Sequence, residues 1–209
     1  MNVPPMPAIG REVFRGAAET ADRYARLLAG VGVERGVIGP NEVPRVWERH
    51  LLNSAVVAEL VPPGYSLVDL GSGAGLPGIV LAMLLPDNEV VLLEPMLRRA
   101  TFLEECVAEL GLGNARVVRA RAEQMAGKLA VDVVTARAVA PLDRLAVLAV
   151  GLLKPGGIVL AVKGAKASAE VRDAKAALDR LGLRDPEVLV VGSGKVDPAA
   201  TVVRLTKHQ

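Results

Sequence analysis

The stretch richest in chemistry runs Val68-Asp69-Leu70-Gly71-Ser72-Gly73-Ala74-Gly75-Leu76-Pro77-Gly78. Residues 66–70 read as a buried strand with an acid near its end. A glycine-rich turn then leads into a helix with Pro77 among its first positions, where proline is well tolerated. Glycines permit positive φ and let a ligand approach the backbone closely. Gly73 to Gly78 matches GxGxxG, the dinucleotide fingerprint, which alone is a weak signal. The earlier part discriminates better. Asp69 stands two residues before Gly71, and a carboxylate is a poor neighbour for a pyrophosphate. It suits a cation, such as the sulfonium and ammonium groups of S-adenosylmethionine, directly or by orienting the loop and water. Glu94 ends the next apolar run, 19 residues after Gly75. There it is placed to accept two hydrogen bonds from ribose hydroxyls. The plainer alternatives are a helix-capping Asp69 and a surface Glu94. After the third run, Ala122 and Glu123 fall where a loop passes beside an adenine, or where a helix simply starts with an acid favouring its dipole.

The tip of the fourth run, Thr135-Ala136-Arg137-Ala138, offers a fixed cation, Arg137, and neither a nucleophile nor the Asn/Asp-Pro-Pro-aromatic tetrad of exocyclic-amine methylases. The single cysteine, Cys106, falls mid-helix and reads as small core filler. One cysteine and two histidines, His50 and His208, leave no internal disulfide and little basis for a cysteine- or histidine-rich metal site. Lys and Arg total 25 against 23 Asp and Glu, a net charge of +2, so no broad basic field exists to drive nonspecific nucleic-acid binding. Five aromatics (Phe14, Tyr24, Trp47, Tyr65, Phe102) are too few for a base-stacking platform.

These residues need elements to hold them. The 209 residues, 51% hydrophobic and 23% charged, suit one globular domain. Residues 12–28 carry apolar side chains near a 3.6-residue period, a glycine-rich turn follows, and residues 43–60 resume helical spacing with Asn41 as N-cap. Short β-branched runs then occur at 66–70, 89–93, 116–118, 131–135, 157–162, 186–191 and 201–205. Helical patterns separate the first six, including an amphipathic stretch at 165–181, whereas the last two are joined without a helix. This order predicts an α/β fold, a mostly parallel seven-stranded sheet with an antiparallel edge pair. Residues 1–64 are expected to form an N-terminal helical extension packed on the same domain, and 65–209 the cofactor-binding domain. Residues 1–11 lack a charged start followed by an apolar run, so no secretory leader is expected. The longest apolar runs, 79–85 and 145–153, fall well short of the ~20 residues that span a bilayer.

Taken together, these residues resemble one family, the bacterial 16S ribosomal RNA guanine-N7 methyltransferases, also called glucose-inhibited division protein B. The resemblance covers most of the chain. It rests on Arg49-His50-Leu51-Leu52-Asn53-Ser54, the Asp69 to Gly78 loop, Leu92-Leu93-Glu94 with Arg98-Arg99 and Phe102-Leu103, Ala136-Arg137-Ala138, and Val162-Lys163-Gly164. The chain departs from it in a glycine-rich stretch, 32–41, where the family often has Asn-Leu-Thr, and in Asn53-Ser54 where many members have Asp-Ser.

The resemblance implies a Rossmann-like S-adenosylmethionine-dependent methyltransferase, cytoplasmic and acting on 16S rRNA of the small subunit; a monomer is expected, and the weak overall charge suits a substrate within a partly or fully assembled subunit. It implies cofactor contacts at Gly71, Leu76, Ala122, Glu123 and Arg137, beside Asp69, Gly73, Gly75 and Glu94 from the loop chemistry. Guanine N7 has a free lone pair and no proton to lose, so the reaction is a direct displacement without a general base or covalent intermediate. Catalysis is then positioning and electrostatics. Arg137 and Lys163 are expected to position the base, Lys163 by a phosphate or guanine O6 contact, and Arg49, His50, Arg98, Arg99 and Lys163 to meet RNA. The acids Glu104, Glu105, Glu109 and Glu170 are read as lying on helix backs, leaving a local basic mouth in a weak overall field. The competing readings are a methyltransferase of a small molecule or another RNA, a nicotinamide-dependent oxidoreductase using GxGxxG, which has no use for Asp69, and a non-enzymatic binding protein that retains the cofactor pocket as scaffold.

Overall fold

The computed structural model describes residues 3–208. Seven strands form one sheet in the order β3-β2-β1-β4-β5-β7-β6. They are β1 (Leu67–Leu70), β2 (Val90–Leu93), β3 (Ala115–Val118), β4 (Val131–Arg137), β5 (Leu153–Lys163), β6 (Leu183–Val191) and β7 (Ala200–Lys207). β1 to β5 pair in parallel, and β7 runs antiparallel to both β5 and β6. The helix-free link between the last two runs therefore forms the antiparallel edge hairpin that the sequence predicts.

Alternation along the strands sorts the side chains into two cores. Leu67, Val90, Leu92, Val133, Leu160 and Val202 face one side, where they meet Ile79 and Leu81 of α4 (Gly78–Leu84) and Phe102 and Leu103 of α5 (Leu97–Leu110). Val68, Val91, Leu93, Val134, Val159 and Val203 face the other. There they pack on α6 (Ala122–Met125), α7 (Leu142–Val150) and α8 (Ala167–Arg180). Cys106 is buried in the first core and its thiol is pushed up to about 12, chiefly by burial, as core filler should be.

The N-terminal residues complete that first core. Tyr24 of α2 (Ala18–Leu27), Leu28, Trp47 and Leu51 share it with Leu92 and Phe102. α1 (Ala8–Phe14) precedes them, and the short α3 (Asn53–Ala55) follows a π-helical segment, Val46–Leu52. Asn41 is not the cap expected of it. Helical winding begins at Pro40, whose fixed φ suits a first turn, and the cap position falls on Gly39. Among the described residues no helix is long and apolar enough to cross a membrane, and no three His, Cys, Asp or Glu side chains cluster in a way that would hold a metal ion.

Strand order reverses between β1 and β4, so their carboxyl ends diverge and open a crevice, the usual place for a ligand in such sheets. Gly71, Glu94, Arg137 and Lys163 all stand at or just beyond the carboxyl ends of parallel strands.

Candidate active site

Asp69 turns into the protein. It is 1% exposed, and its Oδ2 accepts a hydrogen bond from the Gly78 amide at 3.0 Å, tying β1 to the start of α4. Oδ1 is buried without a hydrogen-bond partner among the described residues. Burial raises the carboxyl pKa to about 7, helped by the Glu94 charge and opposed by the Gly78 bond and Arg137. The last glycine of the fingerprint is a packing requirement, since a Cβ on Gly78 would lie 2.4 Å from Leu92 Cδ2 and 2.5 Å from Asp69 Oδ2.

Glu94 braces the same loop from β2. It is 2% exposed. Oε2 accepts from the Gly73 amide and Oε1 from the Met96 amide, each at 2.9 Å. Both oxygens keep a lone pair for a further donor. On the opposite side the hydroxyl of fully buried Tyr24 donates to the Ala74 carbonyl. Burial above all, with Cys106 and Asp69 nearby, keeps that phenol well above its usual pKa and therefore protonated as a donor. Two distant segments, β2 and α2, thus join Asp69 in fixing one glycine turn, in which Gly71, Gly73 and Gly75 all have positive φ. Leu76 ends the turn half-buried, packed on the first core.

Beside the turn lies a pocket of about 180 Å³, lined by Leu70, Gly71, Leu93, Ala122, Glu123 and Val139 among others. Mostly apolar walls with one carboxylate suit a flat heterocycle. The brace at Glu94 and this pocket fit two parts of S-adenosylmethionine, ribose hydroxyls and adenine, whereas Asp69, buried beneath the turn, offers its positive charge no direct contact.

A larger cleft of about 920 Å³ opens next to it, lined by Arg49, Asn53, Arg137, Val139, Lys163 and Thr201 among others. Val139 lines both cavities. A Cβ on Gly71 would come within 2.9 Å of the Val139 side chain. Ala138 just before it has φ 55°, a conformation that costs a residue with a Cβ roughly 1–3 kcal/mol and here sits where the cavities meet.

Lys163 supports this junction. Its ammonium, on a side chain only 10% exposed, donates to the Ala140 carbonyl at 2.8 Å and to Glu170 Oε2 at 2.7 Å. Glu170 Oε2 also accepts from the Leu142 amide at 3.1 Å, satisfying the first turn of α7. Glu170 therefore does not lie on a helix back, where periodicity alone puts it. It faces the cleft because a cation and a helix N-terminus both need a carboxylate there.

Arg137 is held from the N-terminal side. Nη2 donates to the Arg49 carbonyl at 2.9 Å and to His50 Nδ1 at 3.1 Å, and Nη1 reaches Ser54 Oγ at 3.4 Å. The structure thus gathers Arg49, Arg137 and Lys163 at one cleft, while His50 is buried behind Arg137, outside the lining, and not at the surface where an RNA contact was expected of it. Arg98 and Arg99 begin α5 outside the cleft lining, Arg98 exposed and 3.5 Å from the Gly36 carbonyl, Arg99 half-buried.

Sequence reasoning missed Tyr24, Glu42, Val139 and Ala138. Tyr24 lies on the apolar face of its helix and reads as core. No local signal distinguishes Ala138 from its small neighbours.

Comparison with known proteins identifies the family and the fold. The family profile described as GidB, rRNA small subunit methyltransferase G, matches residues 17–196. A protein of that name from Thermobifida fusca is 59% identical over 196 residues, covering 94% of this chain and 83% of the relative. One from Streptomyces coelicolor is 56% identical over 204 residues, covering 97% and 85%. Among solved structures, an S-adenosylmethionine-dependent O-methyltransferase from Thermotoga maritima superposes with a TM-score of 0.58 at 20% identity, covering 76% of this chain and 65% of that one. M. jannaschii TYW2 in complex with AdoMet gives 0.59 at 20%, covering 77% and 76%. These two share the fold. Matched over most of its length by the profile and by relatives more than half identical to it, the chain belongs to the rRNA small subunit methyltransferase G family.

Proposed function

We propose that the protein transfers a methyl group from S-adenosylmethionine to N7 of a guanine in small-subunit ribosomal RNA. It acts in this reading as a cytoplasmic monomer on partly or fully assembled subunits. The observation that carries the reading is the junction at Val139, where an apolar pocket beside a glycine turn meets a cleft with arginines in its wall. When bound, the cofactor supplies an electrophilic methyl group, which guanine N7 takes on its lone pair in a direct displacement, leaving a cationic purine and neutral S-adenosylhomocysteine.

No proton leaves N7, so the site needs no general base. Its side chains bind and orient. Gly71, Gly73, Gly75 and Leu76 shape the turn, Glu94 takes the ribose hydroxyls, and Ala122 and Glu123 border the adenine. Asp69 places negative charge under the turn without reaching the surface. Arg137 presents the guanidinium donors left free by its bonds to Arg49, His50 and Ser54 to the base. Arg49, half-exposed at the cleft, meets the RNA backbone, and Arg98 and Arg99 extend the track.

Labelled cofactor incubated with small subunits, followed by nucleoside digestion, is expected to give 7-methylguanosine. Label in another nucleoside, or in none, overturns the reading. With a net charge of only +2, binding relies on a structured substrate, so short naked RNA is expected to be methylated poorly. Vigorous turnover of a small oligonucleotide would count against that.

Two substitutions separate the roles. Arg49→Ala removes a charge-assisted contact and is expected to weaken RNA methylation about tenfold while cofactor affinity stays level. Lys163→Ala releases the Ala140 carbonyl beside Val139, so cofactor affinity and methylation are both expected to fall. If Lys163→Ala spares cofactor affinity in calorimetry, the lysine serves RNA alone.

A further inference from the structure

The Arg137 guanidinium is one end of a polar chain that begins at Glu42, on the Pro40–Arg45 helical turn. Glu42 Oε2 lies 2.8 Å from His50 Nε2, and His50 Nδ1 lies 3.1 Å from Arg137 Nη2. Arginine only donates, so Nδ1 must accept and stay unprotonated. The ring proton therefore sits on Nε2 and is given to Glu42. Burial first, then the Arg137 charge, lowers the His50 pKa and favours this neutral ring. Glu42 Oε1 meanwhile holds Arg45 at 3.0 Å and Arg49 at 3.5 Å. Partial burial opposes ionisation of Glu42, but the His50 bond and these arginines outweigh it and keep the carboxyl below its usual range.

We propose that Glu42 is a positioning residue for methyl transfer: acting through the neutral ring of His50, it fixes the guanidinium of Arg137 at the mouth of the cleft for the incoming base. This deepens the methyltransferase reading and rests on it. The acceptor on the ring, not its charge, is what Arg137 needs, and the carboxylate of Glu42, by taking the Nε2 proton in a hydrogen bond, holds that acceptor toward it. His50 then works inward, toward the protein, rather than by touching RNA. Without Glu42 the ring is free to tautomerise or turn, and an Nδ1–H would confront an arginine that has nothing to accept it.

The test combines kinetics on small subunits with ¹⁵N NMR of the histidine rings in the cofactor-free protein. The wild type is expected to show His50 as a single neutral Nε2–H tautomer at pH 7, and Glu42→Ala a mixture. Misplacing Arg137 is expected to lower kcat for Glu42→Ala about tenfold or more, while KM for the cofactor stays within about twofold. Glu42→Gln keeps an acceptor for Nε2–H, and because Arg45 and Arg49, which face its other end, are half-exposed and free to turn to solvent, it is expected to stay near wild type. His50→Asn, whose side-chain oxygen replaces Nδ1, is expected to retain most activity, whereas His50→Gln, which reaches Glu42 but offers Arg137 no acceptor, falls with Glu42→Ala. A charged or Nδ1–H ring in the wild type overturns the inference whatever the substrate, as does His50→Gln outperforming His50→Asn, or Glu42→Ala with wild-type kcat. If no RNA is methylated by a wild type that shows the expected tautomer, the methyltransferase reading fails and the Glu42–His50–Arg137 arrangement stands.

Discussion

Glu94→Ala is expected to weaken S-adenosylmethionine binding roughly 10- to 150-fold, equivalent to ~1.5–3 kcal/mol for charge-assisted hydrogen bonds to the ribose. The structure adds a second consequence. The carboxylate also accepts from the Gly73 and Met96 amides, so alanine leaves two backbone donors in a largely dry site without their partner. The cofactor-free variant should therefore melt earlier than the wild type, by ~2–4 °C for each kcal/mol lost in a chain of this size. Glu94→Gln does not rescue, because its amide N–H₂ faces one of those two N–H donors. Calorimetry tests the first effect and thermal unfolding without ligand the second. Unchanged cofactor affinity in Glu94→Ala would remove Glu94 from the binding site, leaving it as a loop brace alone.

That double role also shows where the sequence stops being legible. All seven strands could be read from short β-branched runs, because the signal of pattern and punctuation is local, and it serves even for β3 and β6, which are largely not buried. The glycine turn was legible for the same reason: strand, acid, glycines and helix start lie within a dozen or so residues. What the sequence hid is long-range. Tyr24 and Ala74 are 50 residues apart, His50 and Arg137 are 87 apart, and nothing in either partner's neighbourhood announces the other. Glu170 misled because helical period places a Cβ on a face but not the carboxylate at the end of three bonds. Lys163 and the Leu142 amide draw that carboxylate to the cleft. The sequence marks Arg137 as a fixed cation at the tip of the fourth run, yet its contacts to Ser54, the Arg49 carbonyl and His50 come from more than 80 residues earlier in the chain.

Asp69 gives the other large expected effect, and its sign follows from burial. The folded protein holds this carboxyl at about 7 against an ordinary value of 3.8, burial being the main cause. A raised carboxyl pKa means the folded state keeps its proton where the unfolded chain has lost it. The associated stability is fully present below the unfolded pKa and is lost as pH rises through the folded one. Over about three pK units the loss amounts to ~4 kcal/mol at most. The amide side chain in Asp69→Asn would keep an oxygen acceptor for the Gly78 N–H and has no charge to bury. Asp69→Asn without cofactor should therefore match the wild type near pH 4 and melt roughly 10 °C higher at pH 8, given ~2–4 °C per kcal/mol. Function pulls the other way. A cationic cofactor favours the ionised carboxylate, so wild-type affinity should climb as pH rises towards and past neutrality, with a proton released on binding below it. Asp69→Asn should bind more weakly at pH 8 and show no such climb. Calorimetry in buffers of different ionisation enthalpy counts that proton directly. Equal proton release from wild type and Asp69→Asn would show that the charge beneath the glycine turn is not what the cofactor senses. A flat wild-type melting profile between pH 4 and 8 would place the carboxyl in a far wetter setting than its 1% exposure describes.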